Sequence, residues 1–166
     1  MNRKDEMLKS FATVSALALA LSVPGAAFAQ SGVLSDWGVP DMKAAIVAAG
    51  STVTKEGALD SGAPYVGATT ASGMKYVIYG TVCDGAPKRC KGANITASFT
   101  LDSDTEVDQR EKKIDRSAVG VRNAGDNSLE VSRYIIFDGG ITRGNLATNI
   151  EVFVEVAEEI WNGGGE

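Results

Sequence analysis

The chain has 166 residues, 44% hydrophobic and 22% charged, which is the composition of one globular domain and not of a disordered or collagen-like chain. It contains no histidine, so Ser-His and Cys-His catalysis, imidazole metal sites and the side chain that most readily exchanges protons near neutral pH are all excluded. The formal net charge of −5 argues against general affinity for nucleic acid phosphates or anionic membrane surfaces, both of which need a positive field.

The first elements concern processing. Arg3, Lys4 and Lys9 precede an uncharged apolar run at 11–23, and Pro24 leads to Ala27-Phe28-Ala29 before Gln30, so residues 1–29 read as a signal peptide cut after Ala29. Thirteen apolar residues at about 1.5 Å each reach only about 20 Å, short of a hydrocarbon core near 30 Å, so no stable membrane insertion is expected after cleavage. The expected location is periplasmic or secreted. The remaining chain carries 13 basic and 19 acidic residues, a net charge of −6. Residues 30–38 read as a flexible lead-in.

Pro40-Asp41 opens a helix in which Met42, Ala45, Ile46 and Ala49 recur at helical spacing, and Gly50 closes it. The period then becomes two. Strands are expected at 51–55, 65–69, 74–82 and 93–101, separated by turn-rich pieces. In the last of them Ile95, Ala97, Phe99 and Leu101 alternate with Asn94, Thr96, Ser98 and Thr100, so one face meets the core and the other meets water. A capping box, Ser103 to Glu106, opens a second helix with acids leading and bases closing; Val107 and Ile114 are its central apolar residues, so it should lie on the surface. Strands at 118–122 and 129–137 flank a loop tolerant of positive φ at 123–127. Thr142 caps a long closing helix whose apolar positions are Leu146, Ile150, Phe153, Ala157 and Ile160 or Trp161. Residues 163–166 read as a disordered tail. The expected fold is α+β: a single antiparallel sheet with helices packed on one face, in the order α-ββββ-α-ββ-α.

Candidate chemistry is sparse. Cys83 and Cys90 flank the connection between two strands expected to be neighbours, and in an exported chain they are expected to form a structural disulfide. Closing that eight-residue loop removes unfolded-state entropy worth about 2.5 kcal/mol in the chain-entropy model. A redox pair would favour C-x-x-C, and zinc needs four ligands. Asp102, Asp104, Glu106 and Asp108 alternate as in a calcium loop, but Val107 and Lys113 stand where that loop needs glycine and a bidentate glutamate. No metal or other cofactor is expected, and no catalytic residue is assigned. Lys88, Arg89 and Lys91 form a basic patch that could meet an acidic partner; its bland alternative is a solvated hairpin tip, and three charges without interleaved aromatics do not argue for nucleic acid.

Three stretches carry a resemblance: Ala48-Ala49-Gly50 ending the first helix, Tyr76-Val77-Ile78-Tyr79-Gly80-Thr81-Val82-Cys83 followed by Cys90, and Asp138-Gly139-Gly140-Ile141-Thr142-Arg143-Gly144-Asn145-Leu146 opening the last helix. On these the chain resembles, over 39–162, the YbjN family, whose members are labelled bacterial sensory transduction regulators and are similar in fold to class I type III secretion chaperones. It departs from the family at 108–113, where relatives typically show a Trp-Asn pair. The resemblance implies a non-enzymatic binding or regulatory module that contacts a protein partner through a sheet face or the groove of a homodimer. Two alternatives stand beside it: a carboxylate-based envelope hydrolase, since nineteen acids are available, and a structural envelope stability factor without a ligand.

Overall fold

Periods of two and of 3.6 residues divide the chain much as its apolar pattern demands. The computed structural model describes residues 32–113 and 118–162. Its elements are β1 (Val33–Leu34), α1 (Val39–Ala48), β2 (Thr52–Ala58), β3 (Pro64–Thr69), β4 (Lys75–Asp84), β5 (Arg89–Thr100), α2 (Asp104–Lys113), β6 (Gly120–Gly125), β7 (Ser128–Ile136), β8 (Ile141–Thr142) and α3 (Arg143–Trp161). The proposed signal peptide and the tail at 163–166 lie outside the described residues.

The protein is α+β, with three helices and a six-stranded antiparallel sheet in the order β2-β3-β4-β5-β7-β6. Two short strands, β1 and β8, add to the expected elements and pair with each other, Val33 opposite Thr142 and Leu34 opposite Ile141. Long β5 is central, pairing with β4 from Val77↔Thr96 to Asp84↔Arg89 and with β7 from Gly92↔Ile136 to Thr100↔Ser128. The β6–β7 turn carries Gly125, Asp126 and Asn127 at positive φ, as its glycine and amide-type residues allow.

Alternation sends Val66, Ala68, Tyr76, Ile78, Ile95, Ala97, Leu129 and Val131 to one face of the sheet. There they form a single cluster with Met42 and Ile46 of α1, Val107 of α2, and Leu146, Ile150, Phe153, Ala157 and Ile160 of α3. Of the two residues competing for the last inward turn of α3, Ile160 is buried; Trp161 stays 40% exposed and stacks on Phe99, with centroids 6.4 Å apart. Thr142 caps α3 by accepting from Asn145 N–H at 3.1 Å. The box at α2 forms in part: Ser103 Oγ accepts from Glu106 N–H, while the Glu106 carboxylate takes the N–H of Asp102.

The lead-in is not loose where it is described. Besides β1, it supplies Trp37, which is fully buried, exchanges two backbone hydrogen bonds of 2.9 Å with Cys90, and donates its indole N–H to Gly92 O at 2.9 Å. Burial of an indole of this size outweighs the entropy of fixing a few backbone residues. Gly140 makes the approach of β1 feasible: its φ is +92°, and a Cβ there would lie 2.2 Å from Val33 Cγ1.

Candidate functional site

Cys83 and Cys90 sit opposite each other in the β4–β5 ladder and are joined, with Cα atoms 4.0 Å apart. The bridge lies over Gly80, where a Cβ would come within 2.3 Å of Cys90 Sγ and 2.8 Å of Cys83 Sγ. Cys90 is fully buried beneath Trp37, so the bridge is a structural brace.

The basic patch expected beside it is not a free cluster. Arg89 donates to the Asp36 carboxylate and, at 3.0 Å, to Asp41, whose other oxygen receives Arg143 at 3.0 Å. Asp41 also accepts the N–H of Gly38 at 3.1 Å. Bonding to Asp36, reinforced by Asp41, holds the Arg89 guanidinium above its ordinary pKa. Arg89 thus fastens the hairpin to the lead-in and to α1; Lys88 and Lys91 remain exposed, the Lys88 ammonium 3.5 Å from Cys83 O. Sequence alone paired Arg89 with its neighbours in the chain, because its true partners lie 48 and 53 residues away.

The acids at the start of α2 are likewise engaged in structure. Glu106 holds Arg110 at 2.6 Å, Asp104 accepts the N–H of Asn127, and Asp108 accepts from Asn123 Nδ2. The bond from Arg110, with that from the Asp102 N–H, lowers the Glu106 carboxyl below its ordinary value. Among the described residues no group of three or more His, Cys, Asp or Glu is arranged to hold a metal ion.

What the sequence did not single out is the other face of the sheet, which no helix among the described residues covers. Three rows of side chains cross it, fixed by strand register. Tyr65, Tyr79, Asn94 and Tyr134 form one row. Gly67, Val77, Thr96, Ser132 and Gly120 form the next, and Ser98, Glu130 and Arg122 fall in the third, at the Lys75 end of β4. The middle row is built from small or β-branched residues and sinks between its neighbours as a trough. A concavity of about 690 Å³ lies over β3, β4 and β5, with Lys55, Lys75, Tyr79, Thr96 and Ser98 on its lining. A second of about 610 Å³ continues over β7 and β6 beside Asn94, Gly120, Ser132 and Tyr134.

The tyrosine wall is held in place through its hydroxyls. Tyr79 Oη accepts from Asn94 Nδ2 at 2.6 Å, and Thr81 Oγ1 donates to Tyr134 Oη at 3.1 Å. Tyr65 lies across Gly57, and the Lys55 ammonium stands 5.7 Å from its ring centroid. On the opposite wall Arg122 grips Glu130 through two hydrogen bonds of 2.8 and 2.9 Å, which raise the guanidinium above its ordinary pKa. Beneath the trough, burial raises the Tyr76 phenol above its ordinary pKa, and its hydroxyl is buried without a hydrogen-bond partner. Neither concavity is lined by a carboxylate. Among the described residues of the three rows the one acid is Glu130, and it is held by Arg122.

Outward alternation marks Gly67, Val77, Thr96 and Ser98 strand by strand as small or β-branched positions away from the core, but only the strand order sets them side by side. Comparison with protein families, curated proteins and solved structures finds no match to this chain.

Proposed function

We propose that this protein is an exported, non-enzymatic binding or regulatory module of the YbjN type, similar in fold to type III secretion chaperones, which contacts a protein partner through its open sheet face. The observation that carries the reading is the trough itself: a concave sheet face, walled by pinned tyrosines, uncovered by any described helix, the one acid among the described residues of its rows held by Arg122. Exported chains fold where disulfides persist, and the Cys83–Cys90 brace suits such a compartment. The described chain runs helix, four strands, helix, strand pair and closing helix, with β1 and β8 as small additions, an α+β arrangement whose helices leave one sheet face open. The molecule's overall negative charge speaks against nucleic acid as the partner.

A photoactivatable residue placed at Ser132, in the trough, tests this in the cell that makes the protein. The expected result is a discrete cross-link to another polypeptide from Ser132 and none from Glu155, exposed on the outer side of α3. Equal cross-linking from both positions, or turnover of a substrate by the purified chain, overturns the reading.

A further inference from the structure

The trough has a charge of its own, opposite in sign to that of the molecule. In the three rows and on the β2 edge beside them, Lys55, Lys75 and Arg122 face outward against one acid, Glu130, and that acid is already joined to Arg122. Lys55 and Lys75 are exposed and have no ion-pair partner among the described residues. The Lys55 stem lies across Gly67, where a Cβ would come 2.7 Å from its Cγ, so its ammonium is carried over the floor of the first concavity. A protein whose charge is otherwise acidic thus presents, at one end of its open face, two cations without an ion-pair partner among the described residues, one of them over the Tyr65 ring.

The length of the trough is set by the sheet. Five strands contribute to the row from Gly67 to Gly120, and four inter-strand spacings of about 4.8 Å make roughly 19 Å, the reach of about six residues of extended peptide at about 3.3 Å each. Resting on the reading of the open face as a protein-binding surface, we propose that its occupant is an extended acidic peptide segment of the partner, lying across the strands with carboxylates on Lys55 and Lys75.

Charge complementarity favours this occupant over the others. A second copy offers no free acid from this face, since its one carboxylate there, Glu130, is already held by Arg122. An acidic glycan carries the same charge but stacks on aromatic faces, and the Tyr65 face is already met by the Lys55 ammonium. Nor does a small anion need the second concavity, which continues the floor past Ser132 to Gly120.

The test uses the chain as recovered from its producing cell, labelled with ¹⁵N, and three probes: an end-blocked heptapeptide of alternating Glu and Ser, its Lys-Ser counterpart, and hexagalacturonate. The Glu-Ser peptide is expected to shift the amides of Val77, Thr96 and Ser132, to bind more weakly as salt screens the contact, and to lose about tenfold in affinity in the Lys55→Glu/Lys75→Glu variant. Both lysines are exposed, so that variant should keep its fold, and its circular dichroism checks this. Preference for hexagalacturonate, equal binding of the Lys-Ser peptide, unchanged affinity after charge reversal, or self-association lost in the same variant each overturns the proposal. If the Ser132 cross-link survives Lys55→Glu/Lys75→Glu undiminished, the open face remains the partner surface and the acidic occupant alone is refuted.

Discussion

Replacing Trp37 by phenylalanine probes the least expected part of the fold, a lead-in residue that serves as core. The indole is fully buried, and its N–H reaches Gly92 O at 2.9 Å, so the substitution removes one buried hydrogen bond and leaves a carbonyl without its partner. The stranded acceptor costs about 1–2 kcal/mol. The lost ring volume, roughly 40 Å³ at about 24 cal/mol per Å³, adds about 1 kcal/mol when the site does not collapse. The sum is about 2–3 kcal/mol, with Trp37→Ala larger, about 3–5 kcal/mol. Urea denaturation gives the measurement: Trp161, the other of the two tryptophans and 40% exposed, reports by fluorescence, and far-ultraviolet circular dichroism supplies the second probe. A loss below about 0.5 kcal/mol with unchanged slope would show that the lead-in is not docked between Cys90 and Gly92, and the reasoning fails with it.

Gly80→Ala should destabilise by about 1–3 kcal/mol, because its Cβ meets both sulfurs of the bridge, and most of that loss should vanish in a Cys83→Ala/Cys90→Ala background; equal losses in the two backgrounds would remove the packing argument. Asp41→Ala should cost about 1–2 kcal/mol, discounted because both arginines are nearly half exposed, and a double-mutant cycle with Arg143→Ala should return a coupling of about 0.5–1 kcal/mol, additivity being the contrary result. Since the folded Glu106 carboxyl titrates below its ordinary value, its contribution is present above about pH 4.5 and is lost as pH falls through the folded value; the protection factors of amides at the start of α2, corrected for the intrinsic pH dependence of exchange, should therefore fall on acidification in the wild type, and Glu106→Gln should flatten that fall.

How much was legible in advance follows from the range of the forces involved. The stripes of α1 and α3 and the alternation of β5 were readable because burial of one face imposes its period on neighbouring residues. Thr142 and Gly50 marked helix ends through local hydrogen bonding and backbone freedom. Nothing local announces β1, since two residues carry no period, and Trp37 is placed by Cys90 and Gly92, more than fifty residues along the chain. Arg89 looked like part of a basic patch for the same reason. The trough was hidden differently: its residues are ordinary outward positions strand by strand, and only the strand order β3-β4-β5-β7-β6 aligns five of them into one floor.

The pairing of β1 with β8, and the bond from Arg143 to Asp41 across 102 residues, has a consequence for biogenesis. A polypeptide leaving the ribosome cannot seat Trp37 against a finished hairpin and close Val33 onto Ile141–Thr142 until nearly all of it has emerged. The clasp between β1 and β8 is therefore among the last contacts of the fold that synthesis allows to form.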